Sequence, residues 1–405
     1  MQNDQEVLLK VEHLRQYFKM GSSELKAVDD VSFEIKRGEV FGLVGESGCG
    51  KTTTGRSIIK LYDITGGNIY FKGIRTGAGI RGYQDEIKEA KEEYSKKAAA
   101  VSADEKSRLK KELDDFISKQ KEEIKKAKYD QKNCDKEYQK RQCAAVKAKY
   151  EALISRAKDS EEKSSLVKEY KNALHKAKHT RLTTEIQMIF QDPIASLDPR
   201  MTVREIIAEG LIIQGEKDKK LIDEKVYEML ELVGLVREHA GRYPHEFSGG
   251  QRQRIGVARS IIMNPEMIIA DEPVSALDVS VQAQVINLLN ELRDKFGLTI
   301  MFVAHDLSVV KYFSDRIGVM YFGKMVELAP SDELFRNPLH PYTKSLLSAI
   351  PLPDPEYEKR RTRIVYNPLA EHDYTVDKPS FREITPGHFV QCNEAEYQKY
   401  LGMIK

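Results

Sequence analysis

The alternation of apolar and polar positions predicts strands at the start of the chain. Val7–Phe18 and Ala27–Gly45 alternate in this way and are rich in β-branched residues, as half-buried strands are. The end of the second stretch, EVFGLVG, is a nearly continuous apolar run, which is typical of a strand buried on both faces. The spacing in KTTTGRSIIKLY then predicts a helix, and Gly66–Ile74 predicts another short strand.

The pattern changes abruptly between Tyr83 and Lys178. This stretch of 96 residues holds 26 Lys or Arg and 20 Asp or Glu, a net charge of +6, and it contains neither Gly nor Pro. Its apolar residues recur in steps of three, four and seven, which indicates a narrow coiled-coil seam. Because the polar stretch Tyr129–Tyr138 lies near the midpoint, we predict an antiparallel helical hairpin with its tip there and arms of roughly 65 Å. Ser102 and Glu105 resemble a capping box, which predicts a break in one arm.

The pattern of a packed core resumes after Thr184. EIQMIF, Met267–Pro273 and Leu298–Asp306 are predicted to be buried strands, and the region from Met201 to Val236 is predicted to be mostly helical. Prolines become frequent from Asn337 onward, which indicates a small C-terminal appendix. The chain is therefore predicted to have three parts: a core domain formed by residues 1–82 and 179–335, a helical insertion at 83–178, and an appendix at 336–405.

Composition and charge exclude several classes of protein. The net charge of the 405 residues is only +2, so we predict no nucleic-acid partner. The four cysteines are widely spread and have no CxxC spacing, which argues against a structural zinc site or a disulfide framework and favours a reducing compartment. The N-terminal MQNDQEVLLK is polar, and no apolar run approaches the roughly 18 residues of a membrane span. We therefore predict neither a signal peptide nor a transmembrane segment.

A phosphate-binding loop is predicted where the first buried strand ends. The stretch GESGCGKT fits the pattern GxxxxGK[ST] and stands between a predicted strand and a predicted helix. Glycines allow backbone N–H groups to turn toward phosphate oxygens, and the helix N-terminus adds partial positive charge. Lys51 is expected to contact the β- and γ-phosphates of ATP, and the Thr52 hydroxyl to ligate Mg²⁺. The nucleotide-binding residues predicted here are Gly45, Ser47, Gly48, Gly50, Lys51, Thr52 and Thr53.

Two carboxylates follow the predicted strand MIIADEP. Asp271 is expected to lie near the Mg²⁺ ion. Glu272 is expected to polarise a water molecule for in-line attack on the γ-phosphate. Two solvated turn carboxylates are the ordinary alternative, but the preceding apolar run would direct both side chains to one strand end.

A third motif narrows the prediction to one superfamily. His245–Ser260, HEFSGGQRQRIGVARS, places a serine and two glycines at the start of a helix about 20 residues before MIIADEP. With it, the chain resembles the ATP-binding subunits of ABC transporters over nearly its whole length outside the insertion. The resemblance implies further site residues: Gln191 of the Q-loop, also a Mg²⁺ ligand with Thr52 and Asp271; Asp278 of the D-loop; the switch histidine His305; and Tyr17, which would stack on adenine. The implied catalytic residues are Glu272, His305 and Gln191.

The same resemblance implies an architecture. We expect an α/β fold with a RecA-like phosphate-loop ATPase core, an antiparallel β-lobe and a helical subdomain, to which the coiled-coil-like hairpin and the appendix are added. Two such domains are expected to pair head to tail, with Ser248, Gly249, Gly250 and Gln251 acting in trans on the partner's ATP. ATP would close the pair and hydrolysis would open it, which could move a membrane partner. The sequence leaves open whether the second ATPase is identical or homologous.

The appendix indicates the substrate class. Arg336–Pro355 and Ile384–Cys392 resemble the C-terminal extension of oligopeptide and dipeptide importer ATPases. The implied partners are a second ATPase subunit, two transmembrane permease subunits and an extracytoplasmic peptide-binding protein. The chain itself would be peripheral, at the cytoplasmic face of the membrane. Some relatives carry an iron–sulfur cluster in this region, but Cys392 is the only cysteine after Cys49 outside the insertion, so we expect no cluster.

The primary prediction is therefore an ATP-hydrolysing subunit that powers peptide import, and other functions are weighed against it. A non-transport ABC ATPase of the chromosome-maintenance or DNA-repair type also carries a coiled-coil arm, but that arm emerges after the glutamine loop, whereas the insertion here precedes Gln191. Translation-associated ABC proteins resemble two fused ATPase domains, and this chain has one. The insertion is expected to be an accessory arm outside the ATP chemistry. It would be either a solvated spacer or a contact for an acidic protein surface or anionic lipid.

Overall fold

The computed structural model describes residues 6–98, 102–157, 159–350 and 363–403. They form two compact units. The core unit comprises Met1–Val7, Ile35–Gly55 and Thr184–Lys405, and the lobe unit comprises Leu8–Glu34 and Arg56–Thr183. The predicted insertion thus shares a unit with the β-lobe, and the predicted appendix shares a unit with the core. The three-part division of the sequence stays a prediction.

Strands and helices are numbered in chain order. The strands are β1 (Val7–Met20), β2 (Ser23–Lys36), β3 (Val40–Val44), β4 (Gly66–Phe71), β5 (Ile74–Ile80), β6 (Ile186–Ile189), β7 (Met267–Asp271), β8 (Thr299–Ala304), β9 (Arg316–Tyr321), β10 (Lys324–Pro330), β11 (Ser380–Thr385) and β12 (His388–Cys392). The helices are α1 (Lys51–Ile58), α2 (Arg81–Ala98), α3 (Ala103–Arg156), α4 (Ser160–His179), α5 (Pro193–Ser196), α6 (Val203–Ile213), α7 (Lys219–Leu232), α8 (Gly249–Ile261), α9 (Val279–Phe296), α10 (Leu307–Phe313), α11 (Ser331–Arg336), α12 (Pro341–Ser348), α13 (Pro368–Glu371) and α14 (Glu394–Met403). No helix in the described part of the chain is both long and apolar enough to span a bilayer.

The core unit is built on one sheet with the strand order β11-β12-β10-β9-β3-β8-β7-β6. Strands β9, β3, β8, β7 and β6 are parallel to their neighbours in this series. The remaining pairs, β9 with β10, β10 with β12 and β12 with β11, are antiparallel. Every residue of β3, β7 and β8 is buried, as the continuous apolar runs predict. Because these strands are parallel, their carboxyl ends meet at one edge: Val44 pairs with Ala304, and Asp271 with Val303.

Helices cover this sheet. The apolar sides of α6, α7, α8 and α9 join the strands in a single buried cluster. Helix α6 begins with a complete capping box between Thr202 and Glu205. This confirms the mostly helical prediction for the region after Met201.

The lobe unit contains a sheet with the order β2-β1-β4-β5. The predicted strand Gly66–Ile74 covers β4, the two-residue turn and the first residue of β5. Lys72 and Gly73 connect the two strands with positive φ angles of 53° and 66°. Such left-handed pairs match the twist of a two-residue hairpin. The sequence prediction therefore missed β5.

The insertion is helical, but the predicted hairpin tip is wrong. Helix α3 runs without a break through Tyr129–Tyr138 and is about 80 Å long for its 54 residues. Helix α2 lies along its first half, where Gln120 donates to Glu86, and α4 lies along its second half. The direction of the chain instead differs between α2 and α3 and between α3 and α4. The break predicted near Ser102 is confirmed, although within the described residues the Ser102 side chain makes no capping hydrogen bond.

The middle of α3 is anchored on the lobe, which explains why its polar residues are not a tip. Arg75 of β5 donates two hydrogen bonds to Asp130, at 3.0 and 2.7 Å. Lys60 donates to the Gln131 carbonyl at 3.1 Å, and Cys134 is buried. The polar residues in the middle of α3 pair with residues of the lobe. The segment contains no Gly or Pro that would interrupt the helix.

The appendix extends the sheet of the core unit. Strand β12 pairs with β10, and β11 adds an outer strand. A small apolar cluster forms around Leu339, Val390 and Tyr400. The last five residues of the predicted motif Arg336–Pro355 lie outside the described residues.

Candidate nucleotide-binding site

The predicted phosphate-binding loop connects β3 to α1. Gly45, Gly48 and Gly50 have φ angles of 150°, 83° and 106°. A Cβ atom on Gly45 would lie 2.2 Å from the Met320 carbonyl oxygen, so no larger residue fits there. Because α1 begins at Lys51, the positive end of its helix dipole adjoins the loop.

Lys51 lies folded against this loop. Its Nζ donates to the Gly45 carbonyl at 2.7 Å and to the Glu46 carbonyl at 2.9 Å, and only 3% of the side chain is exposed. The ammonium also lies 3.9 Å from Glu272 Oε1. Burial raises the pKa of the neighbouring Cys49 thiol, which therefore acts as a small neutral side chain in the loop.

The end of β7 meets the start of α1. The Thr52 hydroxyl donates to Asp271 Oδ1 at 2.7 Å, which joins two predicted Mg²⁺ ligands. Hydroxyl and carboxylate oxygens suit Mg²⁺, which usually keeps several waters and takes few ligands from the protein. The described residues contain no cluster of three or more His, Cys, Asp or Glu side chains that could hold a metal ion by themselves. The donor set therefore fits a Mg²⁺ ion shared with a nucleotide.

Two of the predicted catalytic side chains meet at one carboxylate oxygen of the third. Gln191 Nε2 donates to Glu272 Oε2 at 3.0 Å, and His305 Nδ1 lies 3.1 Å from the same oxygen. The Glu272 side chain is 9% exposed, whereas that of His305 is 50% exposed. Glu272 also has a φ of 43°, an uncommon conformation that recurs at functional sites. With Ser47, these three residues help to line a cleft of about 600 Å³.

The predicted signature is an exposed helix start. Ser248 caps α8 and exchanges hydrogen bonds with Gln251 in a capping box, at 3.1 and 3.3 Å. Ser248 and Gly249 are exposed. None of the described residues Ser248–Gln251 lines the cleft around Glu272.

Asp278, the predicted D-loop residue, caps α9. It accepts hydrogen bonds from the Ser280 hydroxyl at 2.7 Å and the Val281 amide at 3.0 Å. These bonds lower its pKa, the Ser280 bond most strongly.

Tyr17 belongs to the lobe unit. Its hydroxyl donates to Asp29, and burial raises the pKa of Tyr17. Arg81 and Lys26 lie over its ring, 5.2 and 5.3 Å from the centroid. An adenine ring that stacked on Tyr17 would compete with these cation–π contacts. Its role in adenine binding stays a prediction.

The sequence analysis missed one residue at the loop. The Tyr342 hydroxyl accepts a hydrogen bond from the Glu46 amide at 3.0 Å, across 296 positions of sequence. Tyr342 is 1% exposed and lies within Arg336–Pro355, the segment whose resemblance indicated a peptide substrate. The sequence signal that could have pointed to Tyr342 is its place as an aromatic residue at the start of a helix within Arg336–Pro355.

Two family models match the chain. The one described as "ABC transporter" matches residues 28–148 and 150–275. The one described as "Oligopeptide/dipeptide transporter, C-terminal region" matches residues 326–375.

Curated relatives match nearly end to end. The oligopeptide transport ATP-binding protein OppF of Bacillus subtilis is 47% identical over 396 residues, which covers 98% of this chain and 99% of that protein. The dipeptide transport ATP-binding protein DppF of Lactococcus lactis is 44% identical over 378 residues, covering 93% of this chain and 90% of that protein. The matched region in the Bacillus relative must therefore run through the helical insertion.

Solved structures share the fold. The ATP-binding cassette MJ0796, in a dimeric post-hydrolysis state with ADP and Pi, matches with a TM-score of 0.51 at 22% identity, covering 80% of this chain and 99% of that one. CbiO1 from Clostridium perfringens matches with a TM-score of 0.50 at 19% identity, covering 82% and 92%. These similarities confirm the predicted α/β ATPase fold.

Proposed function

The chain belongs to the ABC transporter family of ATP-binding proteins, and from this premise we propose that it is the ATP-hydrolysing subunit that powers oligopeptide or dipeptide import. The observation that carries the proposal is the convergence of Gln191 and His305 on Glu272, 3.9 Å from Lys51. The C-terminal match at residues 326–375 and the printed names of the relatives support a peptide substrate. They favour transport over the chromosome-maintenance alternative.

The phosphate-binding loop would hold ATP. Backbone amides of the loop other than that of Glu46, which donates to Tyr342, would face the phosphates. Lys51 would donate to β- and γ-oxygens while keeping its bond to the Gly45 carbonyl. Thr52 and Asp271, with Gln191, would hold Mg²⁺. When bound, that ion neutralises negative charge on the phosphates.

Glu272 would accept a proton from the attacking water. Its carboxylate is nearly buried, and the hydrogen bonds from Gln191 and His305 would fix its orientation. Because His305 is half exposed, it could also contact the γ-phosphate when a nucleotide is present. Gln191, which donates to the same oxygen of Glu272, would respond to the same contact.

The site would be completed by a second ATPase subunit. The exposed helix start at Ser248, Gly249, Gly250 and Gln251 would contact ATP held by that partner, and Asp278 would lie at the shared interface. The pair would drive two transmembrane permease subunits, which receive peptide from an extracytoplasmic binding protein. We place the chain at the cytoplasmic face of the membrane, with Tyr17 against adenine and without an iron–sulfur cluster.

The insertion would be an accessory arm. Its described helices lie in the lobe unit, away in sequence from the loop, the Q-loop, the signature and the paired carboxylates. Residues 83–178 carry a charge of +6, so a contact would favour an acidic surface. Such a contact and a simple spacer remain the two versions of this proposal.

Peptide-dependent growth tests the proposed function. Cells of the source organism that lack this chain and require one amino acid should grow on the free amino acid but not on a peptide containing it. Wild-type protein should restore growth on the peptide, whereas Glu272→Gln should not. Normal peptide growth without the chain would reject the transport function.

A further inference from the structure

The hydroxyl of Tyr342 is hydrogen-bonded to one peptide group of the phosphate-binding loop. The amide of Glu46 donates to this hydroxyl at 3.0 Å. The carbonyl of the same peptide group belongs to Gly45, and it accepts from Lys51 Nζ at 2.7 Å. Because a peptide group is planar, fixing the direction of its N–H also fixes the direction of its C=O. Tyr342 and Lys51 therefore hold opposite sides of one plane.

A glycine precedes this peptide group, so its rotation meets less steric resistance than after a larger residue. Gly45 has a φ of 150°, a conformation that only glycine adopts without strain, and glycine offers little resistance to a peptide flip. A flip would turn the Gly45 carbonyl away from the Lys51 ammonium. The hydrogen bond to Tyr342 opposes that rotation.

Tyr342 is itself held firmly. Its ring lies 4.4 Å from that of Tyr321 and 5.5 Å from that of Tyr366 between centroids. Its amide donates to Nδ1 of His340, which caps α12, at 3.1 Å. Burial raises the pKa of Tyr342, so the hydroxyl keeps its proton near neutral pH.

A buried carboxylate fastens the segment that leads to Tyr342. Glu327 of β10 accepts from the amides of Leu339 at 2.8 Å and His340 at 3.1 Å. Its Oε1 also lies 2.8 Å from Nε2 of His388 in β12, and both side chains are fully buried. The position of the hydroxyl is thus set by the strands of the C-terminal region.

We propose that Tyr342 is a positioning residue for the nucleotide site, and that its hydroxyl keeps the Gly45–Glu46 peptide group and Lys51 in the orientation that receives phosphate. The C-terminal segment then completes the ATP site of its own chain, in addition to indicating a peptide substrate. This inference rests on the proposed ATPase function.

Tyr342→Phe removes the hydroxyl and keeps the ring. One hydrogen bond is worth about 1 kcal/mol, so the dissociation constants of the purified chain for ATP and ADP should rise about fivefold. In the assembled complex the KM for ATP should rise similarly, while kcat at saturating ATP stays within about twofold. Tyr366→Phe is the matched control, because it removes a hydroxyl from the same aromatic cluster; its nucleotide affinity should stay at the wild-type value.

Three results would overturn the inference: unchanged nucleotide affinity in Tyr342→Phe, an equal loss in Tyr366→Phe, or a loss of kcat with no change in affinity. The second would mean that the cluster only stabilises the fold. A wild-type chain that binds no ATP would instead reject the proposed function, so the two failures can be told apart.

Discussion

The core unit and the helical insertion differ in how their side chains are buried. In the core unit, fully buried strands end together and bring polar side chains from distant parts of the sequence to one edge. Helices α2, α3 and α4 are largely exposed, and α2 has no buried residue among those described. The residues of the proposed ATP site lie where apolar strands end, whereas the insertion is a long, charged and largely exposed set of helices.

The two regions also differ in what holds them in place. The strands that lead to the predicted nucleotide site are buried, so the positions of their ends are determined by many packed neighbours. The insertion is fixed on the lobe near the middle of α3, through buried residues such as Cys134 and through polar contacts such as that of Arg75 with Asp130. Changes in the first region should alter catalysis, and changes at this anchor should alter stability.

The largest expected effect is the loss of turnover in Glu272→Gln. Without the carboxylate the attacking water is not deprotonated, and general-base catalysis is worth roughly 10²–10⁴-fold. ATP binding should persist, because Lys51 and the loop are unchanged. Phosphate release and nucleotide binding are measured on the assembled complex, with Glu291→Gln, an exposed position on α9, as the control. Turnover within tenfold of wild type would remove Glu272 from the role of base.

The anchor of the insertion should be the next most sensitive point. Asp130→Ala leaves the guanidinium of the nearly buried Arg75 without its charged partner. We expect a loss of about 1–2 kcal/mol in the free energy of unfolding, less than for a fully buried pair because Asp130 is partly exposed. Urea unfolding measures it. Glu93→Gln, which breaks the exposed pair with Lys97 in α2, should leave stability unchanged. Equal losses in both variants would contradict the anchor.

The dependence of stability on pH should also differ between the core unit and the insertion. Burial lowers the pKa of His340 from 6.5 to about 3, with His372 and Lys344 contributing. A depressed histidine pKa stabilises the fold above pH 6.5, and this stability is lost as the pH falls toward 3. Between pH 7 and 5.5, the free energy of unfolding of wild type should fall by about 1 kcal/mol more than that of His340→Asn. Asparagine keeps a side chain that can cap the helix. The exposed His175 offers the control: His175→Asn should follow the wild-type curve.

The sequence predicted the site better than it predicted the insertion. The meeting of the loop and the carboxylates at the end of β7 could be predicted because apolar runs mark buried parallel strands, whose ends must meet. His305 was implied by the resemblance to ABC transporter ATPases. Tyr342 was missed because no local pattern links it to a loop 296 positions away. The hairpin tip was misplaced because a polar stretch such as Tyr129–Tyr138 looks the same whether it faces water or pairs with Arg75 of the lobe.

The central claim is that ATP chemistry belongs to the core unit and that the insertion is accessory. Because the middle of α3 is anchored on the lobe, the most direct test shortens only the distal arms. Residues 91–115 and 153–167 are each replaced by a short Gly/Ser linker, which keeps the anchor and brings the helix ends together.

ATP binding and hydrolysis of this trimmed chain in the reconstituted complex are the decisive measurement. Both ATP binding and hydrolysis should stay within a few-fold of wild type. Loss of peptide uptake with hydrolysis retained would favour a partner contact over a spacer. Loss of ATP binding in a trimmed chain that remains folded would contradict the account, because the insertion would then belong to the catalytic unit.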